Sequence, residues 1–305
     1  MCASRRVGGA GGLPLAVSED GNRESPTVLL VHGFPDTSAV WDPVVERLMD
    51  SFHVVRYDVR GAGQSGVPPN RSGYALPLLV EDMVAVVEAT SPDRPVHLVA
   101  HDWGSIQGWD AVTTEAVAAR FASYTSISGP PLDHAGLWAR QHHTVRPSDL
   151  IRSVRQALHS WYIAFFHLPR VPELIARGGR ATRLWERALH RIEHAPTDER
   201  WPAPTFNADF AHGVELYRVN VRGRMLHPET RHTDVPVQLV IPLRDRYVTA
   251  ALLDGLEEWT PELRRKPVDA GHWVIRTNPD IVVAAIREFA SDVDKSAESP
   301  AVGGG

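Results

Sequence analysis

The stretch LVAHDWGSIQG, residues 98–108, passes directly from a buried-strand pattern into a helical pattern, with an aspartate at the corner. A carboxylate at the end of a buried strand is costly to desolvate unless a neighbouring group uses its charge. Asp102 therefore either caps the following helix or is a reactive group held on a sharp turn. The small residues Ala100, Gly104 and Gly108 favour a sharp turn, and the helix N-terminus favours the ionised carboxylate.

Short apolar runs alternate with helical patterns on both sides of this corner. The runs are too uniformly apolar for strands with one wet face, so they suit a parallel sheet buried on both faces. The sequence therefore predicts an α/β fold with a mostly parallel central sheet flanked by helices. The strands predicted from these runs are 26–33, 53–58, 94–100 and 121–129; the run 235–243 resumes the pattern, and 265–272 follows it as the last predicted strand. The main predicted helices are 41–50, 77–90, 104–119 and 279–291.

One long segment, 132–232, contains no strand-like run and is rich in tryptophan and arginine. We interpret it as a separate helical unit that divides the α/β core into two parts, 13–131 and 233–292. Residues 1–12 are expected to be flexible. The polar tail 293–305 is expected to be disordered.

Composition narrows the functional classes. With 43% hydrophobic residues the chain can bury a full core, and its net charge of −5 gives no overall bias toward nucleic acid or anionic membranes. Its only cysteine, Cys2, excludes a disulfide within the chain and a cysteine-based metal cluster. The first residues lack the apolar core of a signal peptide, and no apolar run approaches the roughly 20 residues of a membrane helix. We expect a cytoplasmic protein with no membrane span, and its sequence leaves a homo-oligomer open.

Two later turns also place polar side chains after strands. IPLRDRYV (241–248) ends a strand at Asp245, and DAGHW (269–273) ends one at His272. In open parallel sheets ligands bind outside the carboxyl ends of the strands. Asp102, Asp245 and His272 follow the chain order of an α/β-hydrolase triad, with aspartate where serine is usual. The alternatives are an Asx-turn for Asp245 and a surface position for His272.

Three motifs in order carry a family resemblance: HGFP at 32–35, DVRGAGQS at 58–65 and HDWG at 101–104. Over roughly residues 15 to 290, the chain resembles the epoxide hydrolase family of the α/β-hydrolase superfamily. In detail it resembles the hydrolase part of bacterial proteins that fuse an epoxide hydrolase to a short-chain dehydrogenase. The resemblance implies a helical cap (lid) over the site and a reaction without cofactor or metal.

The resemblance also implies a two-step reaction of a small apolar epoxide with water. Asp102 attacks a carbon of the epoxide and forms an alkyl-enzyme ester, which water activated by His272 and Asp245 hydrolyses to a vicinal diol. The backbone N–H groups of Phe34 and Trp103 would stabilise the oxyanion. The peptide bond after Phe34 is implied to be cis.

Ring opening needs an acid, and the family supplies two cap tyrosines. The segment ELYRVN makes Tyr217 the candidate for the second of them. Phe165 occupies the position of the first, so Tyr162, three residues earlier on the same helical face, could substitute. His167 is a weaker option. Aromatic packing is the alternative reading of both tyrosines.

The expected substrate-binding side chains surround these positions; they are Phe34, Trp103, Phe165, His167 and Trp273. The histidines of the cap lack a convergent set of carboxylates and suggest no metal site; they include His142, His143, His190 and His194.

Other hydrolases of this superfamily are competing assignments. A haloalkane dehalogenase shares the aspartate but typically has a halide-binding asparagine where this chain has Phe34. A fluoroacetate dehalogenase would have arginine in place of Trp103, and an esterase would prefer serine in place of Asp102. A non-catalytic ligand-binding protein of this fold is disfavoured by the intact Asp102, Asp245 and His272.

Overall fold

A computed structural model describes residues 3–141 and 147–298 and centres on an eight-stranded sheet. The strand order is β1-β2-β4-β3-β5-β6-β7-β8; β2 pairs antiparallel with β1 and β4, and the other pairs are parallel. This confirms the predicted mostly parallel α/β sheet. The strands are β1 Ala3–Gly8, β2 Pro14–Asp20, β3 Thr27–Val31, β4 His53–Tyr57, β5 Val96–His101, β6 Phe121–Ile127, β7 Val237–Pro242 and β8 Leu263–Val268.

Helices flank the sheet and fill the segment between β6 and β7. The α-helices are α1 Asp42–Leu48, α2 Leu76–Thr90, α3 Trp103–Val112, α4 Glu115–Ala118, α5 Leu132–Gln141, α6 Pro147–His159, α7 Trp161–His167, α8 Val171–Ala176, α9 Arg180–Ala188, α10 Phe206–Leu226, α11 Val274–Thr277 and α12 Pro279–Glu298. A π-helical turn covers Leu189–Glu193. Short 3₁₀ turns are Ala10–Gly12, Ser38–Trp41, Arg71–Tyr74, Arg177–Gly179, Ala250–Leu253 and Leu256–Glu258.

The central strands are buried on both faces, which explains their uniformly apolar sequences. In β3, Leu29 and Val31 join the cluster that includes α2 and α3, whereas Val28 and Leu30 join the cluster that includes α1 and α12. Alternate side chains of one strand therefore enter two separate cores. In the same sheet β5 and β3 end in register, with Val31 opposite Ala100.

The segment 132–232, called the insertion from here on, leaves the core after β6 and returns before β7. All regular elements among its described residues are helical. The long helix α10 lies against the core, because a Cβ at Gly213 would come within 2.4 Å of the ring of Phe34. Helices α7, α8 and α9 pack on α10. In the described parts of the chain, no helix is both long and apolar enough to cross a membrane.

The N-terminal segment is ordered, so the expectation of a flexible 1–12 is wrong for the residues described. The whole of β1 pairs with β2, and Val7 is buried. The guanidinium of Arg5 lies 2.9 Å from the carboxylate of Glu19 across the pair. Backbone hydrogen bonds to β2 stabilise this strand, so it needs few apolar side chains. Its sequence therefore shows no strand pattern.

The C-terminal helix is also longer than expected. Residues 293–298, assigned to a disordered tail, continue α12, while 299–305 lie outside the described residues. This end is anchored to the sheet, since Asp292 pairs with Arg264 at 2.6 Å and Asp294 lies 3.2 Å from His97. The polar composition of 293–298 predicted disorder, because composition does not reveal the ion pairs that α12 makes with the sheet.

The turn from β5 into α3 depends on Gly104. A Cβ at this position would lie 2.3 Å from the carbonyl oxygen of Val31. We expect Gly104→Ala to lower the free energy of unfolding by about 1–3 kcal/mol, because overpacked buried contacts cost that much. Gly223→Ala in α10 is the matched control, since nothing lies within 4 Å of its added Cβ, and it should raise stability by up to about 1 kcal/mol. Urea unfolding measures both, and equal effects would refute the close approach.

Candidate active site

Asp102 stands on the corner between β5 and α3. Its φ of 53° and ψ of −121° are unusual for a residue with a side chain, and such strain is kept only where the surrounding structure enforces it. Its backbone N–H donates to the carbonyl of Ile127 at 3.0 Å. Although Asp102 occupies the N-cap position, its carboxylate makes no capping hydrogen bond to α3. The capping interpretation is therefore wrong, and the carboxylate is left for other partners.

The two carboxylate oxygens of Asp102 have different neighbours. Oδ1 accepts a hydrogen bond of 2.8 Å from the backbone N–H of Phe34. Oδ2 lies 3.6 Å from Nε2 of His272. The peptide bond after Phe34 is cis, as the resemblance implies. No hydrogen bond from Trp103 N–H to this carboxylate is found in the described chain, so that second donor stays a prediction.

His272 and Asp245 form a buried pair next to Asp102. The Nδ1–H of His272 donates to Oδ2 of Asp245 at 3.0 Å. The other oxygen of Asp245 accepts the backbone N–H groups of Tyr247 at 2.8 Å and Val248 at 3.0 Å. Asp245 thus makes the Asx-type turn and the histidine contact together. Burial alone would raise its pKa, but His272 and these donors hold the pKa below its ordinary value.

The electrostatics of His272 follow from its two carboxylate neighbours. Burial would lower the pKa of the imidazole, but the charges of Asp245 and Asp102 raise it well above the ordinary value. His101 lies beneath, with its ring centroid 4.7 Å away and its Nε2–H donating to the carbonyl of His272 at 3.0 Å. Burial and the adjacent His272 charge lower the pKa of His101 to about 4. His101 therefore stays neutral near pH 7 and supports the backbone of its neighbour.

A carboxylate from the insertion reaches the same loop. Glu193, on the π-helical turn, is buried, and its Oε2 accepts the backbone N–H of His272 at 2.9 Å. A Cβ at Gly271 would come within 2.4 Å of this oxygen, so the loop and the insertion meet closely. Burial raises the pKa of Glu193. Sequence reasoning missed this residue, because no motif marks it.

A second junction joins the insertion to the loops of the site. The buried carboxylate of Asp36 accepts the indole N–H of Trp201 at 2.7 Å and that of Trp273 at 2.9 Å. Trp201 belongs to the insertion, and the ring of Trp273 lies 4.6 Å from that of His272. Burial raises the pKa of Asp36 to about 6 despite these two donors. One carboxylate thus ties three chain segments together.

We expect Asp36 to titrate near pH 6 and to affect both indoles. Because its pKa is higher in the folded than in the unfolded chain, the free energy of unfolding should fall as pH rises from about 4 to about 6. The indole N–H resonances of Trp201 and Trp273 should move with one shared midpoint near 6. That of Trp109, which donates to Ser126, is the internal control and should stay still. Asp36→Asn should abolish the shared midpoint; separate midpoints would contradict a common acceptor.

Tyr217 and Tyr162, both on the insertion, face Asp102. Their ring centroids lie 5.9 Å apart, and the ring of Tyr217 lies 4.8 Å from that of Trp103. Burial raises the pKa of each phenol well above its ordinary value, and the negative charge of Asp102 raises it further. Both hydroxyls therefore remain protonated and able to donate. The structure brings together both tyrosines that the sequence analysis selected.

A third tyrosine, Tyr247, belongs to the same group and was missed by the sequence analysis. Its ring centroid lies 4.7 Å from that of His272 and 5.4 Å from that of Tyr162. The only signal was its position two residues after Asp245, where the turn that holds the carboxylate also directs the next side chains inward.

Two chambers meet at Asp102. One has a volume of about 310 Å³ and the other about 250 Å³, and Asp102, Tyr162, Tyr217 and Tyr247 line both. Apart from these residues and His272, the first chamber is almost entirely aromatic and aliphatic. The arrangement suits an apolar ligand with a reactive centre near its middle.

Four of the five expected substrate-binding residues line the two chambers. Phe34, Phe165 and Trp273 line the first chamber, and Trp103 lines the second. The expectation for His167 is wrong. It is exposed at the end of α7, where its Nδ1–H donates to the carbonyl of Ile163 at 2.8 Å, one helical turn back, and this bond holds the imidazole outside both chambers.

In residues 3–141 and 147–298, no three histidine, cysteine, aspartate or glutamate side chains are grouped to hold a metal ion. Two of the insertion histidines considered from the sequence, His142 and His143, lie outside these ranges.

Comparisons with known proteins agree with this architecture. The model of a family described as "alpha/beta hydrolase fold" matches residues 26–279. A Mycobacterium tuberculosis protein named "Probable oxidoreductase EphD" is 36% identical over 98% of this chain, which spans only 51% of that protein. "Epoxide hydrolase A" of the same organism is 25% identical over 95% of this chain and 98% of its own. An epoxide hydrolase of Bacillus megaterium, solved with an inhibitor, has a similar fold, with a TM-score of 0.75 at 21% identity, 95% coverage of this chain and 100% of that one.

Proposed function

Since this chain belongs to the α/β-hydrolase fold family, we propose that it is an epoxide hydrolase that converts an apolar epoxide to a vicinal diol. One observation carries the proposal. The carboxylate of Asp102 lies between a backbone donor, Phe34 N–H, and an imidazole, His272, while two protonated tyrosines face it across the cavity. This arrangement combines a nucleophile, a base and acids around one point. The insertion then acts as the cap.

In the first step, Asp102 would open the ring. Its Oδ1 is held by Phe34 N–H, which leaves Oδ2 to attack an epoxide carbon. A C–O bond of the ester forms as the ring C–O bond breaks, and the epoxide oxygen leaves with the electron pair. Tyr217, or Tyr162 beside it, donates a proton to this oxygen.

In the second step, His272 would deliver water to the ester. Ester formation removes the charge of Asp102, which is one of the causes that raise the pKa of His272. The pKa of His272 therefore falls in the intermediate, and the neutral base becomes available. His272 takes a proton from water as the water oxygen attacks the carbonyl carbon, and the developing oxyanion on Oδ1 already has a donor in Phe34 N–H. The tetrahedral intermediate then collapses with cleavage of the ester C–O bond, and the diol oxygen leaves with the proton held by His272. The proton of the regenerated Asp102 carboxyl returns to the tyrosine that acted as the acid.

The relatives support this assignment to different degrees. The relative named "Epoxide hydrolase A" matches this chain over 95% of its length and over 98% of its own. The name "Probable oxidoreductase EphD" belongs to a protein about twice as long as this chain, so we base the reaction on the site residues. Aromatic chamber walls favour an apolar substrate.

Oxygen labelling tests the proposal. With enzyme in excess over an aryl epoxide in heavy-oxygen water, a single turnover should place the label in the carboxylate of Asp102, because water attacks the ester carbonyl. Peptide mass spectrometry locates it, and the peptide holding Asp36 in the same digest should stay unlabelled. Label in the diol alone would mean direct hydration, and halide release from bromoalkanes without diol formation would indicate a dehalogenase.

A further inference from the structure

The outer part of the insertion, residues 151–192, exposes an unusual amount of apolar surface. Nine of the fourteen large hydrophobic side chains exposed in the described chain belong to it. Ile151, Val154 and Leu158 of α6 are 67%, 49% and 70% exposed, and their spacing places them on one helical face. We call residues 151–192 the outer surface. Clustered exposed apolar side chains of this kind mark interaction sites.

The same outer surface is strongly basic. It contains eight arginines against two glutamates in a chain whose net charge is −5. All eight arginines are exposed. Within the described residues only Arg152 has an acidic partner, Asp254 at 3.6 Å, and the other seven form no ion pair. The charge of the outer surface is therefore available to an anionic partner, whereas the rest of the chain is acidic.

Helix α6 shows how the outer surface is divided from the site. Its buried residue Gln156 donates to the carbonyl of Tyr247 at 3.0 Å and accepts from the hydroxyl of Thr249 at 2.7 Å. The helical face that carries Leu158 is exposed to solvent instead. An amphipathic helix with arginines beside an uncovered apolar face is typical of segments that lie in the headgroup region of a bilayer.

The mouth of the first chamber lies in the outer surface. Trp161 and Leu184 line that chamber, yet they are 67% and 55% exposed. Whatever covers the outer surface therefore faces the chamber entrance as well. An apolar ligand dissolved in a bilayer could enter the chamber from that side without passing through water.

We propose that the outer surface docks the protein on an anionic lipid bilayer, with the apolar side chains in the headgroup region and the unpaired arginines on lipid phosphates. The positive surface and acidic remainder give the molecule one favoured orientation toward a negatively charged membrane. The inference goes beyond the proposed reaction and does not require it, because binding to lipid depends on neither Asp102 nor His272.

Vesicle flotation tests the docking. The protein should float with vesicles that mix phosphatidylglycerol and phosphatidylcholine, should not float with phosphatidylcholine alone, and should be released at high salt. Arg155→Glu combined with Leu158→Ser should reduce partitioning to the vesicles by at least about tenfold. The double change removes one cation from the lipid phosphates and one apolar side chain from the headgroup region. Ile281→Ser with Lys295→Glu on α12 is the matched control and should bind as the parent does.

Three outcomes would overturn the proposal. Equal flotation with both kinds of vesicle would remove the role of charge, and equal losses in the two double variants would remove the role of the outer surface. Concentration-dependent dimers that disappear in the Leu158 variant, without vesicle binding, would show that a second copy covers the surface. Thermal unfolding checks that each variant folds. Diol formation from a water-soluble epoxide should be unchanged in both, so a failure of docking is distinct from a failure of the proposed function.

Discussion

Replacing His272 by glutamine is expected to stop the chain after its first chemical step, with the substrate attached to Asp102. Ring opening uses the carboxylate and the tyrosines, whereas ester hydrolysis needs the base that glutamine cannot provide. Glutamine can still donate a hydrogen bond toward Asp245, which limits damage to the pair. Intact-mass spectrometry after incubation with an aryl epoxide should show the protein heavier by one substrate, and peptide mapping should locate the adduct on Asp102.

The matched control is His167→Gln, a second histidine of the sequence analysis that the structure places outside the chambers. This variant should turn over as fast as the parent and carry no adduct. If His272→Gln formed diol at the parental rate, His272 would not be the base. If it remained unmodified and inactive, ring opening would also depend on His272, and the division of the cycle into two steps would be wrong.

Replacing Tyr217 by phenylalanine is expected to slow ester formation, because the leaving oxygen loses a proton donor. Positioned acid catalysis contributes about 10²–10⁴-fold, so a sole donor should cost that much and a shared donor less. Tyr162 lies beside Tyr217 and also faces Asp102, so we expect the double change to reach the full range. Stopped-flow measurement of the alkylation phase distinguishes this from an effect on hydrolysis.

Variants of two further tyrosines serve as controls for that experiment. Tyr57→Phe removes a buried hydroxyl with no hydrogen-bond partner in the described chain and should leave alkylation unchanged. Tyr247→Phe changes a chamber residue that lies beside His272, so it should affect hydrolysis more than alkylation. If the Tyr217 and Tyr162 variants both alkylated at the parental rate, the two tyrosines would contribute only packing, and the epoxide assignment would be weakened.

The core of the site was predictable because it depends on strand ends. Apolar runs located β5 and β7, and the strand predicted at 265–272 overlaps the observed β8, Leu263–Val268. Parallel strands bring the residues that follow them to one edge of the sheet. This is why Asp102, Asp245 and His272 could be grouped from their order alone, and the structure brings them together.

What the sequence did not reveal depends on how helices of the insertion face the core. Glu193 and Trp201 reach the site only because the insertion folds back onto it, and no local pattern encodes that contact. His167 shows the same limit in reverse, since its sequence neighbours line the chamber but its own position on α7 turns it outward. β1 was missed because its stability comes from the neighbouring strand.

The contacts of Glu193 and Trp201 constrain protein engineering by cap exchange. A cap transplanted from another hydrolase would have to bring an acceptor for the backbone N–H of His272 and an indole for Asp36, besides its substrate-facing residues. A graft that supplied only the tyrosines would leave the buried backbone N–H of His272 without an acceptor, at a cost of about 1–3 kcal/mol. It would also leave the buried carboxylate of Asp36 with only one of its two indole donors, that of Trp273. The cap is therefore not an independent module. At these two contacts, the cap and the catalytic loops have to be redesigned together.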